Sequence, residues 1–356
     1  MTRLVKRPFI FSCSARPLGS TIHHTPPQSQ HLAMVKITVQ SRPSKKSTSA
    51  PKPAIMIDFP GRHSDKITVK EVKKSIQAKF PKLGLTRQRL TTTSDVVLTD
   101  DDKSIGSYGV TEDDVLQLKD LGRQISWKTV FLIEYAGPLV IHPLFFFYGR
   151  QIFGTIFSIL GEQIVPYEHS AMQKTAFCLI MLHYIKRELE TLFVHRFSNA
   201  TMPFFNVFKN SAHYHLLSGL LLSLGLYGPW NSAYKLAGAT RNSDFWLTAW
   251  SVFIMWAQAS NLYTHLTLRS LRPAGTKKRS IPTGYGFDLV YSANYLFESL
   301  VWIGTTIMTG SVACGIFTAV SVGQMVIWAI KKKKNYKKEF GKECPPGRKA
   351  IFPYLI

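Results

Sequence analysis

The segment "SVACGIFTAVSVGQMVIWAIKKKKNYKK" (311–338) joins a long apolar run to an abrupt cluster of lysines. Its apolar part, 311–330, has the length that an α-helix needs to cross the hydrocarbon core of a bilayer. Lysine clusters at the end of such a run are typical of the cytosolic side of a membrane. The segment therefore predicts a membrane-spanning helix whose carboxyl end lies in the cytosol.

Similar apolar runs occur earlier in the chain. They are found at 129–149, 172–192, 212–229, 245–263 and roughly 287–309. The run at 151–165 is shorter, and we interpret it as re-entrant or interfacial. The basic loop at 269–280 is expected in the cytosol like the tail. With six spans, the segment 193–211 and the amino-terminal residues then also lie in the cytosol.

The composition narrows the class of protein. The chain has 356 residues, is 45% hydrophobic and has a formal net charge of +23. This combination indicates a membrane protein with basic loops, because a nucleic-acid-binding protein does not need repeated apolar runs. The four cysteines are scattered without a CxxC pair, which argues against a disulfide framework or a zinc site. We therefore predict no metal and no nucleic-acid partner.

The residues before the apolar runs divide into two parts. Residues 1–33 form a basic extension with four Lys or Arg and no Asp or Glu, and their composition is compatible with disorder. The extension resembles a mitochondrial transit peptide, but a strand-like pattern begins directly at Met34, which favours an upstream extension with a working start there. Residues 34–122 are patterned as two strands, a helix and further strands, an order that resembles the ubiquitin-like β-grasp.

These observations give the predicted fold class. We expect a multi-span α-helical membrane domain of about six transmembrane helices at 126–356, preceded by a small β-grasp ubiquitin-like domain.

The stretch "HYIKRELETLFVHRF" (183–197) places charge directly after an apolar run. Residues three or four apart share a helix face, so Lys186 and Glu190 can pair, while Arg187 and Glu188 are expected to point away. Charge at membrane depth costs several kcal/mol unless it faces a protein interior or a water-filled cavity. A shielded functional pair and a helix end at the membrane interface are both compatible with this spacing.

Two other groups of polar residues accompany apolar runs. Asn261, His265, Arg269 and Arg272 follow one another at steps of four, four and three, which makes one polar stripe on a continued helix. "SANYLFESLVW" places Asn294, Tyr295 and Glu298 within an apolar run.

The sequence lacks the common nucleotide-binding loops. No GxGxxG follows a predicted strand, and no GxxxxGK[ST] occurs, so a nucleotide must bind outside a Rossmann fold or P-loop. The guanidinium groups of Arg269 and Arg272 suit phosphates. Lys277, Lys278 and Arg279 are better explained as signals of membrane topology.

Together these motifs resemble the steroid 5-alpha-reductase family. The resemblance rests on NxxxHxxLRxLRPxG from Asn261, NYxxE from Asn294, and NYxKEF followed by PPxRKAIFP from Asn335. "KRELETLFVHRFSNATMPFFNVFKNSAHY" and the ubiquitin-like pattern make the chain similar to the branch that reduces very-long-chain trans-2-enoyl-CoA. The resemblance covers residues 34–356. At His265 the steroid-reducing branch commonly has Asp, which agrees with the enoyl-CoA branch.

The resemblance implies an activity and a set of site residues. It implies that Tyr295 donates a proton and that Lys186 and Glu190 are needed for activity. Positions around the family's NADPH are matched by Asn261, His265, Arg269, Arg272, Asn294, Glu298, Tyr336, Arg348 and Lys349. The implied reaction is the last step of microsomal fatty-acid elongation, in the endoplasmic reticulum membrane, which also supplies sphingolipid precursors. The implied partners are the long-chain trans-2-enoyl-CoA, the bilayer and other elongation-cycle enzymes.

The residue types fit this chemistry. Reduction of a 2,3-trans enoyl thioester needs a hydride at C3 and a proton at C2, and a phenol can give the proton as an enolate forms. Tyr295 lies well inside its run, which disfavours a role as an interfacial anchor. Lys186 is expected either to stabilise negative charge on the thioester oxygen or to organise the Tyr295 hydroxyl. Glu134 and His142 are expected to pair with neighbouring helices.

Other functions remain compatible with the sequence. A steroid or sterol double-bond reductase would use the same cofactor and helices. A non-enzymatic scaffold of the endoplasmic reticulum membrane would use the ubiquitin-like domain to recruit partners. A transporter would use the intramembrane charges.

Overall fold

The computed structural model of the chain describes residues 35–42, 54–163, 165–197, 200–273 and 280–356. The predicted extension 1–33 lies outside the described residues, as do Lys277, Lys278 and Arg279. The chain forms two compact units, and the first of them ends at Lys119.

The first unit combines a four-stranded mixed sheet with one helix. Its strands are β1 (Val35–Ser41), β2 (Ile55–Phe59), β3 (Gln88–Thr92) and β4 (Val115–Asp120), in the order β2-β1-β4-β3. Strand β1 pairs antiparallel with β2 and parallel with β4. Helix α1 (Val69–Lys79) follows β2 in the chain. The sequence of elements agrees with the predicted ubiquitin-like order.

The amino-terminal end of helix α1 is capped by side chains that form hydrogen bonds with its first backbone amides. The Thr68 hydroxyl accepts a hydrogen bond from the Glu71 amide at 3.2 Å, and the Glu71 carboxylate accepts one from the Thr68 amide at 2.8 Å. Arg62 also donates to Glu71 at 2.7 Å. The Arg62 guanidinium, followed by the Thr68 amide, lowers the pKa of Glu71 to about 2. Val72 and Ile76, one turn apart, pack into the buried core of the unit.

The second unit is mostly helical. Its α-helices are α2 (Trp127–Phe147), α3 (Gly149–Ile159), α4 (Ala171–Leu189), α5 (Asn206–Ser211), α6 (Leu222–Tyr227), α7 (Asp244–Ser270), α8 (Ala293–Thr309) and α9 (Val312–Phe340). A π-helical turn continues α4 over Glu190–Val194, and another joins α5 to α6 over Ala212–Leu221. Strands β5 (Gln124–Ser126) and β6 (Thr201–Pro203) form a short antiparallel ribbon. In the described residues, Trp127–Phe147 and Val312–Glu343 are long and apolar enough to cross a membrane.

All six long apolar runs are helical over most of their length. The run predicted from 287 becomes helical only at Ala293. The reason is that the amides of Tyr291 and Ser292 donate to the carbonyls of Lys349 and Ala350, at 2.9 and 3.0 Å. The carboxyl-terminal tail is thereby attached to the start of α8. The shorter run at 151–165 is helical only as far as Ile159.

The polar residues of α2 have partners on neighbouring helical segments. Asn210 donates a hydrogen bond to the Glu134 carboxylate at 2.6 Å. His142 lies 2.8 Å from the Tyr227 hydroxyl and 2.9 Å from the Ser218 carbonyl through its two ring nitrogens. These contacts confirm that Glu134 and His142 pair with neighbouring helices.

Candidate active site

One face of α4 carries the charged residues that follow its apolar part. His183, Lys186, Arg187 and Glu190 are separated by three or four residues around the same side of the helix. Glu190 begins the π-helical turn, and such turns occur frequently at functional sites.

The Glu190 carboxylate is the centre of a buried ionic cluster. Its Oε2 accepts a hydrogen bond from Arg187 at 2.6 Å. Its Oε1 lies 3.3 Å from the Lys186 ammonium and 3.1 Å from His265 Nδ1. Lys186 also donates to Asn261 Oδ1 at 2.5 Å. The structure therefore brings Lys186 and Glu190 together, as the helical spacing predicts, and adds two residues of the α7 stripe.

Arg187 belongs to this cluster, so the expectation that it points away is wrong. Its guanidinium bridges Glu190 and the Tyr135 hydroxyl of α2, which accepts at 2.8 Å. The Arg187 side chain is only 13% exposed. The face of α4 that meets α2 and α7 is broader than a line through Lys186 and Glu190. The i, i+3 spacing from Arg187 to Glu190 was the signal in the sequence that allowed this contact.

A second buried carboxylate lies on α8. His183 Nε2 is 3.3 Å from Glu298 Oε1, and His183 Nδ1 is 3.2 Å from the Gln258 side chain of α7. The Asn261 amide group donates to the Asn294 carbonyl at 2.8 Å. Polar contacts between these side chains and backbone groups therefore connect helices α4, α7 and α8 close to the ionic cluster.

The charges of this cluster balance. Two cations, Lys186 and Arg187, accompany two carboxylates, Glu190 and Glu298, and all four side chains are at most 16% exposed. Buried ions are tolerated when they are paired and hydrogen-bonded. A helix end at a membrane interface would leave these groups in water, so the burial favours a shielded site.

Tyr295 borders a cavity of about 300 Å³ next to α8 and α9. Other residues around the cavity include Arg272, Trp328, Lys331, Lys332, Asn335 and Tyr336. The Lys332 ammonium lies 5.8 Å from the centre of the Tyr295 ring. In the described part of the chain, no side chain or carbonyl forms a hydrogen bond with the Tyr295 hydroxyl. The phenol is therefore available to a bound molecule.

Two buried acceptors flank Tyr295 in sequence. Asn294 Oδ1 and Glu298 Oε2 have no hydrogen-bond partner among the described residues. Buried polar atoms in folded proteins are nearly always hydrogen-bonded. These two oxygens therefore remain open to N–H or O–H donors, although neither Asn294 nor Glu298 lines the Tyr295 cavity.

The other predicted cofactor residues are divided between two places. Arg272 lines the Tyr295 cavity and donates to the Arg196 carbonyl at 2.6 Å. Tyr336 lines the same cavity and stacks on Tyr291, with ring centres 5.6 Å apart. Arg269 is exposed and does not line the cavity.

Arg348 and Lys349 also lie away from Tyr295. Both line a different cavity near the end of α9. The Arg348 guanidinium donates to the Pro282 carbonyl at 2.8 Å and lies 5.2 Å from the centre of the Tyr291 ring. Arg348 thus holds the segment before α8 in place.

Glu190, His195 and His265 offer possible metal-ligand atoms within 4.8 Å of one another. The same carboxylate already contacts Lys186 and Arg187. A divalent cation there would face two positive side chains at short range. The group is better explained as part of the ionic cluster.

Comparisons with known proteins bear on this site. The sequence model of the 3-oxo-5-alpha-steroid 4-dehydrogenase family matches residues 200–356. A putative enoyl reductase of Schizosaccharomyces pombe is 46% identical over 71% of this chain and 80% of its own length. A very-long-chain enoyl-CoA reductase of Dictyostelium discoideum is 37% identical over 91% of this chain and 100% of its own. A probable very-long-chain enoyl-CoA reductase of Caenorhabditis elegans is 37% identical over 81% and 91%.

The chain is also similar to solved structures, among them a ubiquitin-like domain. The ubiquitin-like domain of an Arabidopsis thaliana protein, determined in solution, aligns with 28% of this chain and 88% of its own at 19% identity and a TM-score of 0.20.

Proposed function

The chain belongs to the very-long-chain enoyl-CoA reductases of the steroid 5-alpha-reductase family, and we propose that it reduces a very-long-chain trans-2-enoyl-CoA to the saturated acyl-CoA with NADPH. The proposed reaction is the last step of microsomal fatty-acid elongation. The observation that carries the proposal is the Tyr295 hydroxyl, which borders a cavity without a hydrogen-bond partner in the described part of the chain.

The residues near Tyr295 fit a nicotinamide dinucleotide. A carboxamide group has two N–H donors, which match the unpaired acceptors Asn294 Oδ1 and Glu298 Oε2. Arg272, Lys331 and Lys332 line the cavity and suit the phosphates of the dinucleotide. When bound, the nicotinamide supplies the hydride for C3 of the enoyl group.

Tyr295 is the proposed proton donor. A phenol has an ordinary pKa of about 10 and can give its proton to C2 as negative charge develops on the thioester. No competing acceptor among the described residues holds the hydroxyl. It is therefore free to orient toward the substrate.

Lys186 and Glu190 are proposed to position the site. Lys186 donates to Asn261, and Asn261 donates to the carbonyl of Asn294, the residue before Tyr295. Glu190 contacts the Lys186 ammonium and compensates its charge. Lys186 makes no hydrogen bond to Tyr295, so its proposed effect on the phenol passes through the backbone of α8.

The protein is proposed to be a multi-pass protein of the endoplasmic reticulum membrane. The six proposed spans are α2, α4, the segment 212–229 that contains α6, α7, α8 and α9. The ubiquitin-like domain and the tail then face the cytosol, the acyl chain lies between helices, and CoA stays in water. The other elongation-cycle enzymes are proposed partners.

The test is turnover by the purified full-length protein. NADPH absorbance is followed after addition of a long trans-2-enoyl-CoA or, separately, a 3-oxo-4-ene steroid. We expect oxidation of NADPH with the thioester and formation of the saturated acyl-CoA. Oxidation of NADPH with the steroid but not with the thioester would show that the protein belongs to the steroid-reducing branch. If NADPH is oxidised with neither substrate, the result would favour a scaffold or a transporter.

A further inference from the structure

A second cavity, of about 430 Å³, lies where the end of α9 meets the carboxyl-terminal tail. It is lined by Lys333, Lys337, Arg348 and Lys349 together with the turn from Cys344 to Gly347. Within the described ranges, no acidic residue contributes to the lining. The cavity is therefore a concave, strongly basic surface separate from Tyr295.

The lysines of this cavity have no ionic partners in the part of the chain that the structure describes. Among the described residues, no carboxylate lies within 4.0 Å of the Lys333, Lys337 or Lys349 ammonium groups. Lys333 and Lys337 are four residues apart on α9, a spacing at which like charges repel each other. The repulsion would be relieved by an anion held between them.

The dipole of α9 does not explain why all three lysines lie around this cavity. A cation in the last turn of α9 is favoured by the helix dipole, which accounts for Lys337. Lys333 lies nearly two turns before the end, and Lys349 is not on the helix. Lys349 is held beside the cavity because its carbonyl accepts from the Tyr291 amide at 2.9 Å.

An aromatic stack separates the two cavities. Tyr336 lines the Tyr295 cavity and stacks on Tyr291, while Arg348 covers Tyr291 and lines the basic cavity. Lys331 and Lys332 belong to the first cavity, and Lys333 and Lys337 to the second. Each cavity thus has its own set of cations.

We infer that the basic cavity binds the 3′-phosphate of the CoA portion of the substrate. The inference rests on the proposed function, in which two adenosine-containing molecules each carry a phosphomonoester. The cations around Tyr295 serve the dinucleotide, so the second set remains for the other molecule. A phosphomonoester has a charge of about −1.5 to −2 at pH 7 and three acceptor oxygens, which matches three converging ammonium groups. This assignment differs from the cofactor role that the resemblance implies for Lys349, and the experiment below distinguishes the two.

The test compares two thioesters of the same acyl chain, one of CoA and one of 3′-dephospho-CoA, with the purified full-length protein. The wild type is expected to prefer the CoA thioester in kcat/KM by roughly 10- to 100-fold, the size of a charge-assisted contact. In the Lys333→Gln, Lys337→Gln double variant the preference should fall toward one, because KM rises for the CoA thioester alone. Lys349→Gln alone should reduce the preference in the same direction.

The control is the Lys338→Gln, Lys342→Gln double variant, which removes two exposed charges from the same end of α9 and should keep the preference. Equal use of both thioesters by the wild type would overturn the inference while leaving the proposed function intact. Loss of the preference for NADPH over NADH in the cavity variant, with the CoA preference unchanged, would assign the cavity to the cofactor and overturn the inference. Reduction of neither thioester would refute the proposed function itself.

Discussion

The ionic cluster depends on Glu190, because two cationic side chains and one imidazole ring contact its carboxylate. Arg187 contacts one oxygen, and Lys186 and His265 contact the other. The side chain is 2% exposed, so water does not screen these contacts. Removal of any one cation leaves a buried negative charge in excess, which is costly.

Arg187→Ala should damage the protein about as much as Lys186→Ala. Breaking a buried pair by removing one partner costs about 3–5 kcal/mol. Arg187 additionally links α4 to Tyr135 of α2. We expect reduced thermal stability and strongly reduced enoyl-CoA reduction in membranes with matched protein levels.

The matched control is Glu188→Ala, one residue further along α4 and outside the cluster. It should retain stability and activity close to the wild type. Equal and mild effects at Lys186, Arg187, Glu188 and Glu190 would mean that the charges mark a helix end at the membrane surface.

Arg272→Ala should weaken the use of NADPH more than the use of the enoyl-CoA. Arg272 lines the Tyr295 cavity, and a charge-assisted contact contributes about 1.5–3 kcal/mol. The expected result is a KM for NADPH raised roughly 10-fold or more, with a smaller change for the thioester. The exposed Arg269→Ala provides the control. A KM for NADPH that stays at the wild-type value would remove Arg272 from the proposed cofactor site.

The sequence predicts where the helices lie along the chain better than it predicts which face of each helix is buried. Apolar runs of spanning length locate the helices, and the structure shows in addition that Ser170 and Ser243 cap α4 and α7. Which side of α4 meets α2 depends on tertiary packing, and the helical spacing alone therefore excluded Arg187 wrongly. The sequence predicts only that the lysines after 330 lie on the cytosolic side of the membrane, and the structure divides them between two cavities.

Helix α1 of the first unit should be sensitive to acid through Glu71. The pKa of the Glu71 carboxyl group lies below the ordinary value of about 4.3. The ionised carboxylate therefore stabilises the folded unit above that pH. The contribution should be lost as the pH falls from there toward 2. Hydrogen exchange of the α1 peptides in the full-length protein, followed by mass spectrometry, measures the effect.

Glu71→Gln should remove this part of the pH dependence, whereas Glu112→Gln, at an exposed position, should not. Identical exchange profiles for the wild type and Glu71→Gln from pH 5 to pH 2.5 would contradict the role given to Glu71.

In the whole molecule, the proposed reactive groups lie near the same ends of several helices. The ionic cluster lies at the end of α4 and toward the end of α7, and both cavities that are proposed to bind phosphates lie beside the end of α9. In the proposed six-span arrangement all these ends face the cytosol. A water-soluble cofactor and the CoA portion then approach from one side, while the acyl chain remains among the helices.

Glycosylation tests this arrangement, since it occurs only on the lumenal side. The acceptor sequence Asn199-Ala200-Thr201 lies in the proposed cytosolic segment and should stay unmodified. An acceptor sequence inserted after the exposed Tyr234, between α6 and α7, should be modified. Modification at Asn199 in the wild-type protein would reverse the proposed orientation.

The most direct test of the account is the rate of enoyl-CoA reduction by Tyr295→Phe, which removes only the hydroxyl. The purified variant should keep its folding and detergent-solubilised size, and its kcat should fall by about 100- to 10,000-fold, the usual contribution of a general acid. Tyr234→Phe, at a position 84% exposed, should reduce the substrate at the wild-type rate. A Tyr295→Phe variant with the wild-type kcat would contradict the proposal that this phenol delivers the proton to C2.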